Sequence, residues 1–274
     1  MSLVQAIVLG VVQGLTEFLP ISSSGHLRIV PAFVGWDDPG AAFTAVIQLG
    51  TMAAVLLYFR HDLLRIATAW LASLRDPARR GTLDARLGWY LILATIPIVI
   101  FGVAFKDQIE NGARDLYLIG AMLIVFGLVL LVADAVSRRE RDVATITRRD
   151  AAIIGFAQAL ALVPGVSRSG ATISAGLLLG FDRVSAARFS FLLSIPAVVL
   201  SGLYELKDVV NGSAEGGVGV GPTAVATLLA FVTGYAAIAL LLRFLTTHTL
   251  AVFVAYRVVL GAAVLALVAS GTIA

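Results

Sequence analysis

The stretch QGLTEFLPISSSGH at residues 13–26 decides the fold, because the chain contains it twice in altered form. The second copy reads QALALVPGVSRSGA at residues 158–171, so a constant shift of 145 residues aligns the two copies without a gap. Over residues 6–25 this shift matches seven identical residues, which are Ala6, Gly10, Gln13, Leu15, Ser22, Ser24 and Gly25. Both copies interrupt an apolar segment with Pro or Gly followed by Ser. The pattern predicts an internal duplication with one polar break in each half.

The composition indicates a protein whose solvent is lipid. Hydrophobic residues make up 59% of the 274 residues and charged residues only 14%, whereas a soluble domain carries about 25% charged residues. Apolar runs of roughly 20 residues recur along the chain, and a helix of that length crosses the hydrocarbon core of a bilayer. We therefore expect an all-α polytopic membrane protein embedded in the lipid bilayer.

We predict six membrane-spanning helices and two re-entrant helical hairpins. The predicted spans are 41–59, 87–105, 116–136, 186–206, 222–245 and 249–270. The hairpins are 2–34 and 150–181, and their breaks should face inward, because irregular backbone at membrane depth must be buried in protein or line a wet cavity. One hairpin and three spans in each half invert the second half relative to the first. Repeat 1 (about 1–140) and repeat 2 (about 146–274) then form one membrane domain, 1–274.

The basic residues report the topology of the chain. Arginines are concentrated at 60–86 and 137–149, between predicted spans, which is typical of cytoplasmic loops. With both loops inside, the first hairpin enters from outside and the second from inside. The basicity therefore predicts no nucleic-acid partner. The absence of cysteine excludes disulfides and thiolate metal sites, and the oligomeric state stays open, a homodimer included.

The first break carries groups suited to covalent catalysis. Glu17 lies four residues after Gln13, so both side chains point from one helix face towards the break. An ionisable group at this depth is costly without a partner, which favours a metal ligand or a general acid or base over a carboxylate at the membrane surface. Serines at 22–24 and then His26 follow. One hydroxyl can cap the next helix, but a serine, a histidine and a carboxylate together suit nucleophilic catalysis.

The second break carries a cation between hydroxyls. Arg168 is flanked by Ser167 and Ser169, and Thr172 follows. The arginine fork matches phosphate oxygens, and backbone amides at the start of the next helix would add an anion site. The alternative is an arginine that snorkels to the cytoplasmic surface. Because a hairpin tip points away from the surface that it enters, we favour a phosphoryl-transfer site where the two breaks meet.

The two motifs resemble the signatures of a bacterial enzyme family. Gln13–His26 and Pro164–Thr172 are similar to the motifs of undecaprenyl-diphosphatases, also called bacitracin-resistance proteins, and the similarity covers essentially the whole chain. The resemblance implies a phosphatase of the bacterial cytoplasmic membrane that hydrolyses undecaprenyl diphosphate to the monophosphate and inorganic phosphate. This reaction recycles the lipid carrier for peptidoglycan. The resemblance also implies an active site open to the periplasmic side.

The resemblance further assigns roles to the motif residues. It implies catalytic roles for Ser23, His26, Glu17 and Arg168. The substrate-binding residues would be Gln13, Ser22, Ser24, Ser167, Ser169 and Thr172. It also implies a divalent cation, Mg²⁺ or Ca²⁺, near Glu17. The position of Gln13 is often Glu in the family, so we expect substrate oxygens and water, rather than two carboxylates, to complete the metal site.

The expected mechanism is attack by Ser23 on the terminal phosphorus, with His26 taking the proton. Arg168 and the cation would neutralise the diphosphate. Direct attack by water and a phosphohistidine intermediate use the same residues and stay open. The rival from another class is a lipid-phosphate flippase, because inverted repeats with broken helices are typical of secondary carriers. A purely structural subunit explains intramembrane Arg and Glu less well.

Two other ionisable residues lie in or beside predicted spans. Arg257 belongs to the last span and has no supporting motif, so we expect it to pair with a carboxylate or a carbonyl oxygen. Asp134 lies near the inner surface, and we expect it to be solvated.

Overall fold

The regular secondary structure is helical. The computed structural model describes residues 1–106, 108–109, 114–210 and 219–273, and these residues contain no β-strand. The helices are α1 (Leu3–Phe18), α2 (Ser23–Val34), α3 (Gly40–Tyr58), α4 (Arg60–Arg75), α5 (Leu83–Ala104), α6 (Leu116–Val136), α7 (Arg148–Ala159), α8 (Arg168–Leu178), α9 (Arg183–Val210), α10 (Val220–Phe244) and α11 (Ala251–Ala269). Short 3-10 helices lie at Pro77–Gly81, Val143–Thr145 and Leu160–Leu162. The predicted all-α class is confirmed.

Several helices are suited to crossing a bilayer. In the described residues, α5, α6, α10 and α11 are each long and apolar enough to do so, and α3 meets the same test together with α4. The shorter apolar helix α1 does not reach that length. These findings indicate an integral membrane protein with four or five spans of this kind.

The stretch that follows α3 differs from the prediction. We expected 60–86 to be a loop, but its first part is the helix α4, which turns by 77° from the axis of α3. Leu64 and Leu71 are exposed along α4, between the arginines at its two ends. An amphipathic helix of this kind can lie in the membrane interface, so the arginine-rich composition concealed a helix.

Each predicted hairpin consists of two helices separated by a break, α1 with α2 and α7 with α8. Ser22 and Ser167 are the N-cap residues just before the second helices and adopt the same unusual backbone conformation, with φ of 75° and 73°. Each side chain accepts a hydrogen bond from the backbone N–H of the glycine three residues on. Gly35 and Gly180 lie just beyond α2 and α8 with positive φ. All these pairs are related by the 145-residue shift.

The first helix of each hairpin also packs in the same way. α1 packs against α10, and α7 packs against α5. A Cβ added at Gly10 would lie 2.7 Å from Cα of Ala226, and a Cβ added at Gly155 would lie 2.7 Å from Cα of Ala94. Such close backbone approach at glycine is a common way to pack membrane helices. These matched contacts are the ones expected of a duplication.

The largest buried apolar cluster includes Phe18 and so packs against the end of α1, next to the first break. It includes residues of α5, α8, α9 and α10. Within it, the ring of Phe18 meets the ring of Phe191 edge to face, with centroids 5.4 Å apart. Because Phe18 directly follows Glu17, this packing holds the end of α1 against α9.

Asp134 is buried, so the expectation that it is solvated is wrong. Its Oδ1 accepts a hydrogen bond from Arg183 Nε at 2.6 Å, and its Oδ2 accepts one from the backbone N–H of Leu250 at 3.1 Å. The two donors come from the start of α9 and from the turn before α11. Sequence position near a membrane surface did not reveal these partners, because both are distant in the chain.

Candidate active site

A cavity of about 630 Å³ lies between the two breaks. Its floor is polar and consists of Gln13, Glu17, Ser22, Ser23, Ser24, Ser167 and Arg168. Its walls are mainly apolar and include Ile98, Val99, Gly102, Val103, Ala161, Leu162, Ala197 and Val198. The cavity therefore offers one polar end and an extended apolar lining to the same ligand.

Glu17 lies at the centre of the polar floor. Its Oε2 accepts hydrogen bonds from Ser23 Oγ at 2.6 Å and from Gln13 Nε2 at 3.1 Å. Its Oε1 accepts a hydrogen bond from the guanidinium of Arg168, with which it forms an ion pair. The structure therefore brings together four of the residues singled out by the sequence, three from the first hairpin and one from the second.

Ser23 and Arg168 occupy equivalent positions in the two breaks. Ser23 is the first residue of α2 and Arg168 is the first residue of α8. The first amides of a helix have no acceptor within it, so a helix N-terminus favours an anion. Since residues of both termini line the cavity, the floor combines a hydroxyl, a guanidinium and two helix N-termini.

The remaining predicted serines divide into two groups. Ser22 and Ser167 cap the helices, and Ser24 lines the cavity beside them. Ser169 Oγ instead donates to the carbonyl oxygen of Leu19 at 3.0 Å, which joins the second break to the first. Its geometry suits holding the hairpins together.

Thr172 lies behind the cavity floor. Its Oγ1 is 2.6 Å from Ser190 Oγ of α9 and donates to the carbonyl oxygen of Arg168 at 2.8 Å. The residue is buried and does not line the cavity. The hydroxyl thus connects α8 with α9, and the geometry does not place it against a ligand in the cavity.

Among the described residues, the ring of His26 is not hydrogen-bonded to Ser23. Its Nδ1 lies 2.7 Å from the backbone carbonyl oxygen of Ser22, and its Nε2 lies 2.7 Å from the hydroxyl of Tyr256. A carbonyl oxygen only accepts, so Nδ1 must carry the proton of this hydrogen bond. In the neutral ring Nε2 is then the acceptor for Tyr256. The hydrogen bond from His26 Nδ1 thus holds the backbone carbonyl of Ser22, a residue with a positive φ.

Arg257 connects the two breaks from inside the protein. Its side chain is fully buried and donates to the carbonyl oxygens of Pro20, Gly165 and Val166, each at 3.0 Å. It also donates to two carbonyl oxygens of α6. Of the two partners expected from the sequence, the carbonyl oxygen is therefore the observed one. Arg257 was noticed in the sequence because it lies within a predicted span. Its partners could not be named from the sequence, because they are distant in the chain.

Sequence reasoning missed three polar residues of the cavity. Thr44 and Gln48 face it from α3, and Lys106 faces it from beyond the end of α5. Gln48 carries a detectable signal, because a glutamine inside an otherwise apolar span is costly unless it faces a polar interior. Lys106 lies just beyond the predicted span 87–105, where a basic residue is unremarkable.

The site offers only a few oxygen atoms to a metal ion. Among the described residues, no three His, Cys, Asp or Glu side chains come together to hold a metal. Glu17 contributes a carboxylate, and Gln13 Oε1 is buried without a hydrogen-bond partner within the described part of the chain. These two oxygen donors suit Mg²⁺ or Ca²⁺, but either ion needs about six oxygen ligands. The remaining ligands would have to come from a diphosphate and water.

Known proteins are similar to this chain over essentially its whole length. Residues 6–263 match the family described as Bacitracin resistance protein BacA. That range includes both breaks and the whole polar floor. The chain belongs to the BacA family. The resemblance recognised from the two motifs is confirmed.

Individual BacA relatives are highly similar to the chain. An undecaprenyl-diphosphatase of a Nocardioides species is 61% identical over 270 residues, which are 98% of each chain. An undecaprenyl-diphosphatase of a Mycobacterium species is 57% identical over 275 residues, covering 100% of this chain and 99% of the relative. Undecaprenyl-diphosphatase 2 of Streptomyces avermitilis is 51% identical over 285 residues, covering 100% of this chain and 97% of the relative.

Proposed function

We propose that the chain hydrolyses undecaprenyl diphosphate to undecaprenyl phosphate and inorganic phosphate. This activity recycles the lipid carrier for peptidoglycan synthesis and confers resistance to bacitracin. BacA membership and the names of the relatives support it. The observation that carries it in the structure is the contact network of Ser23, Glu17 and Arg168 at the polar end of an apolar cavity.

The cavity matches the two parts of such a substrate. A diphosphate carries several negative charges, which Arg168 and the two helix N-termini would neutralise. The apolar wall from α5 and α9 would receive the prenyl units next to the head group, where burial of apolar surface is favourable. The substrate is thereby oriented with its terminal phosphate towards Ser23.

The hydrogen bonds favour Glu17 as the group that receives the proton of Ser23. In our proposal Ser23 Oγ attacks the terminal phosphorus and its proton passes to Glu17 Oε2, to which it is already bonded. The bond from that phosphorus to the bridging oxygen breaks, and undecaprenyl phosphate leaves with the electron pair. Water then cleaves the phosphoserine to release inorganic phosphate. His26 would act by holding Ser22, because its two ring nitrogens are bonded elsewhere.

Arg168 would change partner when the substrate binds. Without substrate its guanidinium neutralises Glu17. A terminal phosphate offers the guanidinium more oxygens and more charge than one carboxylate does. Transfer of Arg168 to the phosphate would release Glu17 from this ion pair while its Oε2 keeps the hydrogen bond from Ser23.

A divalent cation is the proposed cofactor. Glu17 and Gln13 would contribute oxygen ligands, and the bound ion would supply charge neutralisation for the diphosphate. We expect purified protein to lose phosphate release in excess chelator and to regain it when Mg²⁺ or Ca²⁺ is added back. A variant tests the proposed ligand Gln13. Gln13→Ala should raise the cation concentration that restores half of the activity. Full activity in chelator would contradict a cation requirement.

The arrangement in the membrane is also part of the proposal. We infer six spans and two re-entrant hairpins related as an inverted repeat, supported by the matched breaks and the matched glycine contacts. α5 begins within the arginine-rich stretch 60–86, and its opposite half contributes to the cavity wall. With the basic stretches inside, the cavity opens to the periplasmic side of the bacterial cytoplasmic membrane.

The direct test is phosphate release by purified protein in detergent. We expect Ser23→Ala to lower kcat by at least about 10³-fold, because it removes the nucleophile. Ser24→Ala is the matched control, since Ser24 also lines the cavity but is not bonded to Glu17, and its kcat should fall by less than about tenfold. Full activity of Ser23→Ala would refute the nucleophile assignment.

A covalent trap separates the proposed mechanism from its rivals. Brief reaction with substrate carrying a labelled terminal phosphate, followed by acid quenching, should place the label on the peptide that contains Ser23. Label on His26 would overturn the phosphoserine route. Absence of any phosphate release from active-site-intact protein would instead favour the flippase alternative.

A further inference from the structure

A second pocket lies closer to the N-terminal end of α5 than the catalytic cavity does. It has a volume of about 460 Å³ and lies where α4 ends and α5 and α7 begin. Arg86 of α5 lines this pocket, whereas Gly102 of the same helix lines the cavity. The two residues are about 24 Å apart along the helix axis at the normal helical rise. The pocket therefore belongs to the membrane edge that carries the arginine-rich stretches.

The lining of this pocket is strongly basic. Arg80, Arg86 and Arg148 line it, and no carboxylate does. The acidic residues nearby in the sequence pair elsewhere: Asp76 with Arg79, Asp84 with Arg65, and Asp150 with Arg141. Hydrogen bonding to Asp150 raises the pKa of Arg141. Within the described part of the chain, none of the three pocket arginines forms an ion pair.

Two of the arginines are held in place by neutral acceptors. Arg86 donates to the carbonyl oxygen of Ile146 at 2.5 Å and to the hydroxyl of Tyr90 at 3.4 Å. Arg80 donates to the carbonyl oxygen of Ser73 at 3.2 Å. These bonds fix the guanidinium groups but leave their charges uncompensated. A multivalent oxyanion would compensate them.

The third arginine and the wall extend the site towards lipid. Arg148 is the first residue of α7, and its side chain adds a third guanidinium to the pocket. Trp89 and Leu74 line the pocket and are 38% and 45% exposed. Tryptophan is typical of the zone between water and hydrocarbon. The pocket thus joins a cationic end to an apolar wall at the level of lipid head groups.

We propose that this pocket binds the phosphate head group of an anionic lipid of the inner leaflet. The guanidinium groups of Arg80, Arg86 and Arg148 contact the phosphate oxygens, and the acyl chains pack against Trp89 and Leu74. Basic pockets between membrane helices at this level recognise anionic head groups in general. The site is separate from hydrolysis, because none of its residues lines the catalytic cavity.

The test measures lipid binding to the full-length protein by native mass spectrometry. Purified protein in neutral detergent is titrated with phosphatidylglycerol or with phosphatidylcholine. Wild type should bind phosphatidylglycerol in preference to phosphatidylcholine. Arg148→Gln should weaken phosphatidylglycerol binding about tenfold, because it removes one charge-assisted contact. Arg86→Gln should weaken it by at least as much.

Arg149→Gln supplies the matched control. Arg149 is the next residue of α7, is exposed and does not line the pocket, so its variant should bind phosphatidylglycerol like wild type. Phosphate release in lipid-free detergent should stay unchanged in all three variants, which checks that they are folded. Equal binding of the two lipids, or equal loss in Arg148→Gln and Arg149→Gln, would overturn the proposal. Displacement of the lipid by an equal concentration of inorganic phosphate would assign the site to a free anion instead.

Discussion

The two breaks have nearly the same backbone but different chemistry. Ser22 and Ser167 have φ values within a few degrees of each other, and each caps its helix in the same way. The next position is Ser23 in the first break and Arg168 in the second. The comparison shows two equivalent helix N-termini, of which one carries a hydroxyl and the other a guanidinium.

The support of each break differs as well. His26 holds the backbone of Ser22 in the first break, whereas the equivalent residue of the second break is Ala171. Arg257 binds carbonyl oxygens of both breaks but more of the second. Each break therefore needs a donor for its irregular carbonyl groups. Arg257 donates to both breaks, and His26 adds a second donor only in the first.

The largest expected effect comes from making the second break resemble the first. Arg168→Ser should lower kcat/KM by about 10³-fold, because it would remove the guanidinium that our proposal assigns to neutralising the diphosphate. Arg168→Lys keeps the charge but loses the planar fork, so it should recover only part of that loss. Steady-state phosphate release measures both variants. Near wild-type kcat/KM in Arg168→Ser would show that the breaks are not chemically distinct.

The matched glycines test whether the two halves are mechanically equivalent. Gly10→Ala and Gly155→Ala each place a Cβ against the backbone of a neighbouring helix. Each should lower the free energy of unfolding by about 1–3 kcal/mol through overpacking, and the two losses should be similar. Thermal unfolding in detergent measures the change. Gly81→Ala is the control, because its Cβ would meet no atom within 4 Å. A large loss for only one of the two glycines would break the equivalence.

The smallest effect is expected from the residue that supports the first break. His26→Ala copies the second break, where Ala171 is equivalent, and removes a backbone clamp. We expect kcat to fall about tenfold with no change in the shape of its pH profile, since our proposal assigns the proton of Ser23 to Glu17. Tyr256→Phe, which removes only the outer partner of His26, should have a smaller effect. A loss of more than about 10³-fold with a lost acid limb would restore His26 as the general base.

The sequence predicted the residues of the polar cavity floor better than it predicted the helices and side chains packed around that floor. Glu17, Ser23 and Arg168 were recognised because ionisable and hydroxyl groups stand out in an apolar segment. The helix α4 was missed because its arginines resemble a loop. Tyr256 and Gln48 were missed because each lies in a span that is otherwise apolar, so only the packing shows which way the side chain faces.

The sequence by itself determined the helical membrane class, the two breaks and the similarity of their sequences. These features follow from local composition and from comparison of one stretch of the chain with another. Recognising them does not require knowing which side chains touch in the folded protein. Only the tertiary structure decided which groups meet. Glu17 bonds to both Ser23 and Arg168, while His26 turns to Tyr256 and Arg257 reaches both breaks. Such contacts join residues that are often more than a hundred positions apart, and the packing of helices across the two halves sets them.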